Sequence, residues 1–264
     1  MRQPTVVLMW AVAAVVSVLI TVLIFFPAIW LAPLLESRTG GRITLGDPQG
    51  SLWHGSAFIA AAPSAKDALM PLIPGRFAWT LSPLVLVGQV DARVENPPVL
   101  SQPVSIRGDW KSWTISAATL SLPAERLSAL GAPLNTLKFS GRLLLTWEQL
   151  ALTLPISGIG GINLHGAMTL ELLEIASRLS PVKPLGSYRM RFDWRGRQAQ
   201  LRLDTLSGSM LLNGKGTLQD GHLRFSGTAD AAAGQEEKLA TLLSLLGQYR
   251  QRNGKNVIGL EFTS

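Results

Sequence analysis

The chain has 264 residues, 47% of them hydrophobic and 16% charged, with 24 Lys and Arg against 17 Asp and Glu and no cysteine. That length can bury a full core, which excludes disorder as the main state, and a share of charge well below the usual quarter points to a part of the chain in lipid. The missing cysteines exclude disulfides, thiol catalysis and cysteine-ligated zinc or iron–sulfur centres, while the net charge of +7 suits an anionic partner without choosing one.

The first element is an uncharged run from Val6 to Trp30, in which Ser17 and Thr21 are the only polar side chains. About 20 apolar residues cross a bilayer, whereas the apolar part of a cleaved signal peptide is usually about 7–15 residues. The run therefore predicts a transmembrane helix over 6–30, with Val6 at its start and Trp10 and Trp30 near its ends at the headgroup level. With one span and a long chain after it, residues 1–5 are expected to be a cytoplasmic stub and residues 31–264 to lie across the membrane.

Past Arg42 the pattern becomes short apolar–polar alternations broken by Gly and Pro, the signature of antiparallel strands. Strands are expected at 77–81, 85–94, 104–110, 113–120, 150–154, 162–172 and 209–218. Alternation also marks 137–147, 188–194, 201–205 and 222–227, and a closing strand is read at 256–262. The clearest stretch sets Tyr188, Met190, Phe192 and Trp194 on one side against Arg189, Arg191 and Asp193 on the other. Two helices are expected. One runs over Leu122–Gly131, with Pro in its first turn and Gly at its end. The other runs over Gln235–Tyr249, where Leu239, Leu242, Leu243 and Leu246 share a face. Residues 171–180 read equally as helix or strand. A similarity between 75–81 and 188–194 raises the possibility of two related β-modules, about 43–155 and 156–264.

No catalytic constellation emerges. His54, His165 and His222 are far apart in sequence, no nucleophile elbow is present, and the glycines of 208–216 lack both the interval and the hydroxyl of a phosphate loop. No enzyme activity, cofactor or metal is expected. Five arginines, Arg189, Arg191, Arg195, Arg197 and Arg202, form the main charge cluster. They can be read as a contact for acidic headgroups or an acidic protein, or as a solvated face interleaved with Asp193 and Asp204. Tyr188, Met190, Phe192, Trp194 and Phe225 are the matching apolar candidates, for a core or for a groove.

Two stretches carry a family likeness: Gly50-Ser51-Leu52-Trp53-His54-Gly55-Ser56-Ala57 after the anchor, and Leu206 to Leu218 continuing through Gly221–Ala231 into the Gln235–Gly247 segment. With them the chain resembles the N proteins of the bacterial type II secretion system, which are similar in turn to the AsmA-like group. The resemblance implies a mainly β fold: a transmembrane helix, then a twisted, curved antiparallel sheet, half-barrel or groove-like, with a few short covering helices. It implies a single-pass inner-membrane protein with a periplasmic body, contacting inner-membrane subunits of the secretion machinery and membrane lipids, and no nucleic acid. The alternative it leaves is a lipid-handling envelope protein with a hydrophobic groove.

Overall fold

The amino-terminal apolar run folds as one helix and a separate 3-10 turn, with a second helix directly after it. In the computed structural model, which describes residues 4–39, 43–61, 70–126, 138–154, 161–220, 222–252 and 255–263, α1 spans Pro4–Ile24. It does not continue to Trp30 as the sequence suggested. Pro27 adopts an extended conformation, Ala28–Trp30 form a single 3-10 turn, and α2 follows at Leu31–Thr39. Proline has no N–H to give to a continuing helix, and its ring disfavours a helical conformation in the residue before it. The side chains of residues 4–8, 19 and 20, Val6 among them, lie outside the description. Among the described residues, no helix is long and apolar enough to cross a membrane.

The rest is one antiparallel sheet with a few short helices. Its strands are β1 Ile43–Gly50, β2 His54–Ala61, β3 Met70–Pro71, β4 Phe77–Leu81, β5 Gln89–Glu95, β6 Val104–Asp109, β7 Ser112–Ile115, β8 Ala118–Pro123, β9 Phe139–Trp147, β10 Leu150–Thr153 and β11 Asn163–Ser177. They continue as β12 Gly186–Gly196, β13 Gln198–Gly208, β14 Met210–Gln219 and β15 His222–Ala231. Then come α3 Glu236–Leu246, β16 Gln248–Arg252 and β17 Lys255–Thr263.

Pairing follows the chain almost without crossing. β1 pairs β2, β2 pairs β4, and β4, β5, β6 and β7 follow in turn. β7 and β8 then lie along β10 and β9 in one register, from Ser112 opposite Thr153 to Pro123 opposite Arg142. β11 pairs β9 and β10 on one edge and β12 on the other, and the ladder runs on through β13, β14, β15 and β17 to β16. Strands from both sides of the module boundary read at 155/156 thus belong to one sheet. Because neighbours are antiparallel, the connections at 51–53, 82–88 and 110–111 all fall at the same end of the sheet.

Several sequence expectations are corrected. The strand expected at 85–94 begins only at Gln89. Ser82 caps a 3-10 turn over Pro83–Val87 by accepting from Leu84 N at 3.3 Å, and Gly88 closes it at φ 97°. The strand at 113–120 is split at Ser116, whose carbonyl accepts from Trp147 Nε1 at 2.9 Å. Leu122 and Pro123 end β8, so the helix expected at 122–131 is replaced by strand and then by a 3-10 turn at Ala124–Arg126, and 127–131 lie outside the described residues. Residues 171–177 are strand, carried past a bulge at Glu174, φ 52°. The last helix stops at Leu246, and Gln248 and Tyr249 begin β16.

The main core lies under α3. Leu239, Leu242 and Leu243 are 0%, 3% and 6% exposed and pack on Tyr188, Leu203, Met210, Ala229 and Ile258. A smaller cluster of Val99, Leu100, Val104 and Ala118 holds the first half of the sheet.

Candidate functional site: two faces of one ribbon

β12, β13 and β14 present opposite chemistry on their two faces, as period-two alternation requires. On β13 the burial alternates residue by residue: Ala199, Leu201 and Leu203 are buried, and Gln198, Gln200 and Arg202 exposed. Arg189, Arg191, Arg195 and Arg202 therefore share the outer surface and Arg197 lies in the turn between β12 and β13, but their surroundings differ. Arg189 Nη2 stands 2.7 Å and its Nε 2.8 Å from Glu171 Oε1, and its position in the ladder lies between Glu171 and Asp204. Arg195 meets Asp193 at 3.0 Å and Arg197 meets Asp220 at 2.6 Å. These three are neutralised locally.

Arg191 and Arg202 are not. They face each other across β12 and β13, and Arg202 faces Lys215 on β14, so three cations stand in one row across three strands. Thr169 and Ser226 extend the row on either side. All three cations are exposed, and none forms an ion pair among the described residues. Directly opposed like charges in an antiparallel pair sit about 4.5–5.5 Å apart at Cβ and are destabilising. A depression of about 610 Å³ on this face is lined in part by Arg191, Arg202 and Lys215, together with Asp193 and Gln200. Such a row suits a ligand bearing several carboxylates or phosphates, because an anion relieves the repulsion among the three cations. Sequence reading missed Lys215, which is 13 positions beyond Arg202 and joins it only through the register of β13 on β14.

The inner face carries the apolar set. Tyr188 is 2% exposed and its hydroxyl donates to the Met210 carbonyl at 3.0 Å, while burial pushes the phenol pKa far above its ordinary value. Tyr188, Met190 and Phe225 line a cavity of about 390 Å³ together with Leu203, Met210 and Phe262, and its lining is apolar throughout apart from the Tyr188 hydroxyl. Phe262 is 49% exposed and packs on Phe225 with ring centroids 6.2 Å apart. Phe192 and Trp194 do not line this cavity. Both are half-buried further along β12, and Trp194 Nε1 is buried without a hydrogen-bond partner among the described residues.

His54, His165 and His222 are exposed on β2, β11 and β15. Among the described residues no three His, Asp or Glu converge to hold a metal ion. The anchor candidates Trp10 and Trp30 are 69% and 64% exposed, and the Trp30 ring packs 5.6 Å from that of Phe26.

Comparison with known proteins gives one family. The model described as type II secretion system (T2SS), protein N, matches residues 41–258. No curated protein and no solved structure matches the chain.

Proposed function

Given that the chain belongs to the type II secretion system protein N family, we propose that it is an accessory, non-enzymatic component of that machinery. It sits in the bacterial inner membrane with its amino terminus in the cytoplasm and its sheet in the periplasm, and it supports export of folded proteins by binding other inner-membrane subunits. Read whole, the α1 sequence from Pro4 to Ile24 is 21 residues without a charge, about 31 Å at 1.5 Å per residue, which is the thickness of the hydrocarbon core. The observation that carries the contact is the row Arg191, Arg202 and Lys215, with no carboxylate paired to it among the described residues. Its complement is an acidic protein surface, which would be drawn to the row by steering as well as by contact.

The test is the double variant Arg191→Glu with Arg202→Glu in the full chain, expressed in its native envelope. Both residues are exposed, so the fold is retained, and unfolding midpoints should stay close to those of the parent. Co-purification of secretion subunits and export of a folded substrate should both fall by tenfold or more. Undiminished co-purification by the folded double variant would sink this surface as the contact.

A second reading rests on the inner cavity. At about 390 Å³ and with an apolar lining it lies within the size range of small-ligand sites, roughly 300–1,000 Å³, and offers an acyl chain room beside Phe262. This is the lipid-handling alternative. It requires phospholipid to remain with the full-length protein after exchange into an amphipathic polymer, and Leu203→Trp, which fills the cavity, to abolish that retention.

A further inference from the structure

The end of the sheet nearest α1 carries an exposed apolar patch that neither reading uses. Trp53 Nε1 donates to the Leu23 carbonyl and Leu52 N to the Phe26 carbonyl, each at 2.8 Å, so the β1–β2 connection is fastened to the C-terminal end of α1. One strand further on, Leu81 N donates to the Trp53 carbonyl at 2.7 Å, which brings the end of β4 alongside. The chain then enters the turn Pro83–Val87, whose Leu84, Leu86 and Val87 are 50%, 48% and 78% exposed. Next to it, in the β6–β7 connection, Trp110 is 57% exposed and its Nε1 donates to the Val85 carbonyl at 2.6 Å.

Connections that face water are built from Gly, Pro, Asn, Asp and Ser. Here Pro-Leu-Val-Leu-Val fills the connection, and the adjacent one offers a tryptophan whose single donor is already satisfied, leaving its ring outward. Single exposed apolar residues need no explanation, but four in neighbouring turns mark a contact surface. From Leu81 to Gly88 there is no charged residue. The charges nearest in sequence to Trp110 are Asp109, which accepts from Lys111 N and Ser112 N at 2.7 and 2.8 Å, and the exposed Lys111. An indole beside a lysine is the pairing favoured at the headgroup layer, where the ring lies at the apolar boundary and the ammonium reaches outward.

We propose that Leu84, Leu86, Val87 and Trp110 form a second membrane contact, dipping into the interfacial layer of the same bilayer that α1 crosses, so that the sheet stands on the membrane by this end. The inference rests on α1 being the membrane anchor. The end of α1, the end of β4 and the two turns are joined through the hydrogen bonds of Trp53 and Trp110, which puts this rim at the end of the sheet to which α1 is fastened.

Because the chain has no cysteine, a single introduced one can be labelled uniquely. The full-length protein would be reconstituted into vesicles of phosphatidylethanolamine and phosphatidylglycerol with an environment-sensitive fluorophore at Val87→Cys, Val15→Cys or Arg191→Cys in turn. All three positions are exposed and tolerate the change. The expected result is that the Val87 label is blue-shifted relative to the Arg191 label, loses its access to aqueous iodide, and is quenched by lipids carrying a nitroxide near the headgroup. The Val15 label should be quenched best by a nitroxide deep in the chains. If Val15 is lipid-quenched but Val87 stays open to iodide, the second contact is overturned and the anchor stands. A Val87 label shielded from both iodide and lipid means contact with a second copy of the chain and also overturns it. A Val15 label untouched by lipid overturns the anchor itself.

Discussion

Two residues show how much depends on single backbone positions. Gly208 closes β13 at φ 125°, and a Cβ there would lie 2.2 Å from Gly186 Cα and 2.5 Å from the Leu185 carbonyl oxygen. Both neighbours are backbone, so neither can rotate away, and the left-handed region adds its own strain. Gly208→Ala should destabilise by about 2–4 kcal/mol, seen as a lower urea midpoint with an unchanged slope. Asp109 acts through charge. It accepts from the backbone N–H groups of Lys111 and Ser112 and from Ser112 Oγ, and these bonds hold its carboxyl below the ordinary 3.8. A carboxyl depressed in the folded state stabilises only while ionised. The contribution to the turn that presents Trp110 is therefore complete above 3.8 and lost as pH falls through the lower folded value. Hydrogen exchange of the Lys111 and Ser112 amides, corrected for intrinsic rates, should lose protection over that acid range, and Asp109→Asn should lack the transition.

Among the elements, α3 was the most legible, because its leucines sit at i, i+3, i+4 and i+7 and no competing pattern overlaps them. The first three of those leucines are in the core, so Leu239→Ala, at a site 0% exposed, should cost about 2–5 kcal/mol in unfolding free energy. Segment 171–177 was ambiguous for a physical reason. Glu171, Leu172, Leu173 and Glu174 are good helix formers, and the bulge at Glu174 breaks the alternation that would have marked a strand. What decides for strand is not local: Glu171 pairs across to Arg189, and Leu172 faces Tyr188. The same limit applies to the site. Five arginines could be seen in the sequence, but which of them are neutralised depends on Glu171 and Asp220, 18 and 23 positions from their partners. Lys215 enters the row only once β13 and β14 are aligned.

Across the whole molecule, the order of strands turns a local bond into a statement about orientation. A meander ordered along the chain puts alternate connections at one end, and that end is tied to α1 by Trp53, which is 7% exposed and donates to the Leu23 carbonyl. The indole has two roles there: its ring fills the joint, and its N–H satisfies a carbonyl of the last helical turn, where no intrahelical partner remains. Trp53→Phe keeps most of the ring and removes the donor, so the loss in unfolding free energy should be modest, about 0.5–1.5 kcal/mol. The geometric effect should be larger than the energetic one. Spin labels at Val15→Cys and Val87→Cys report α1 against the rim, and in the parent their distance distribution should be narrow. In Trp53→Phe it should broaden while the unfolding midpoint moves little. A distribution equally narrow in both proteins would assign the joint to the Leu52 and Phe26 backbone bond and to the Pro27–Ser51 bridge, leaving Trp53 as packing alone.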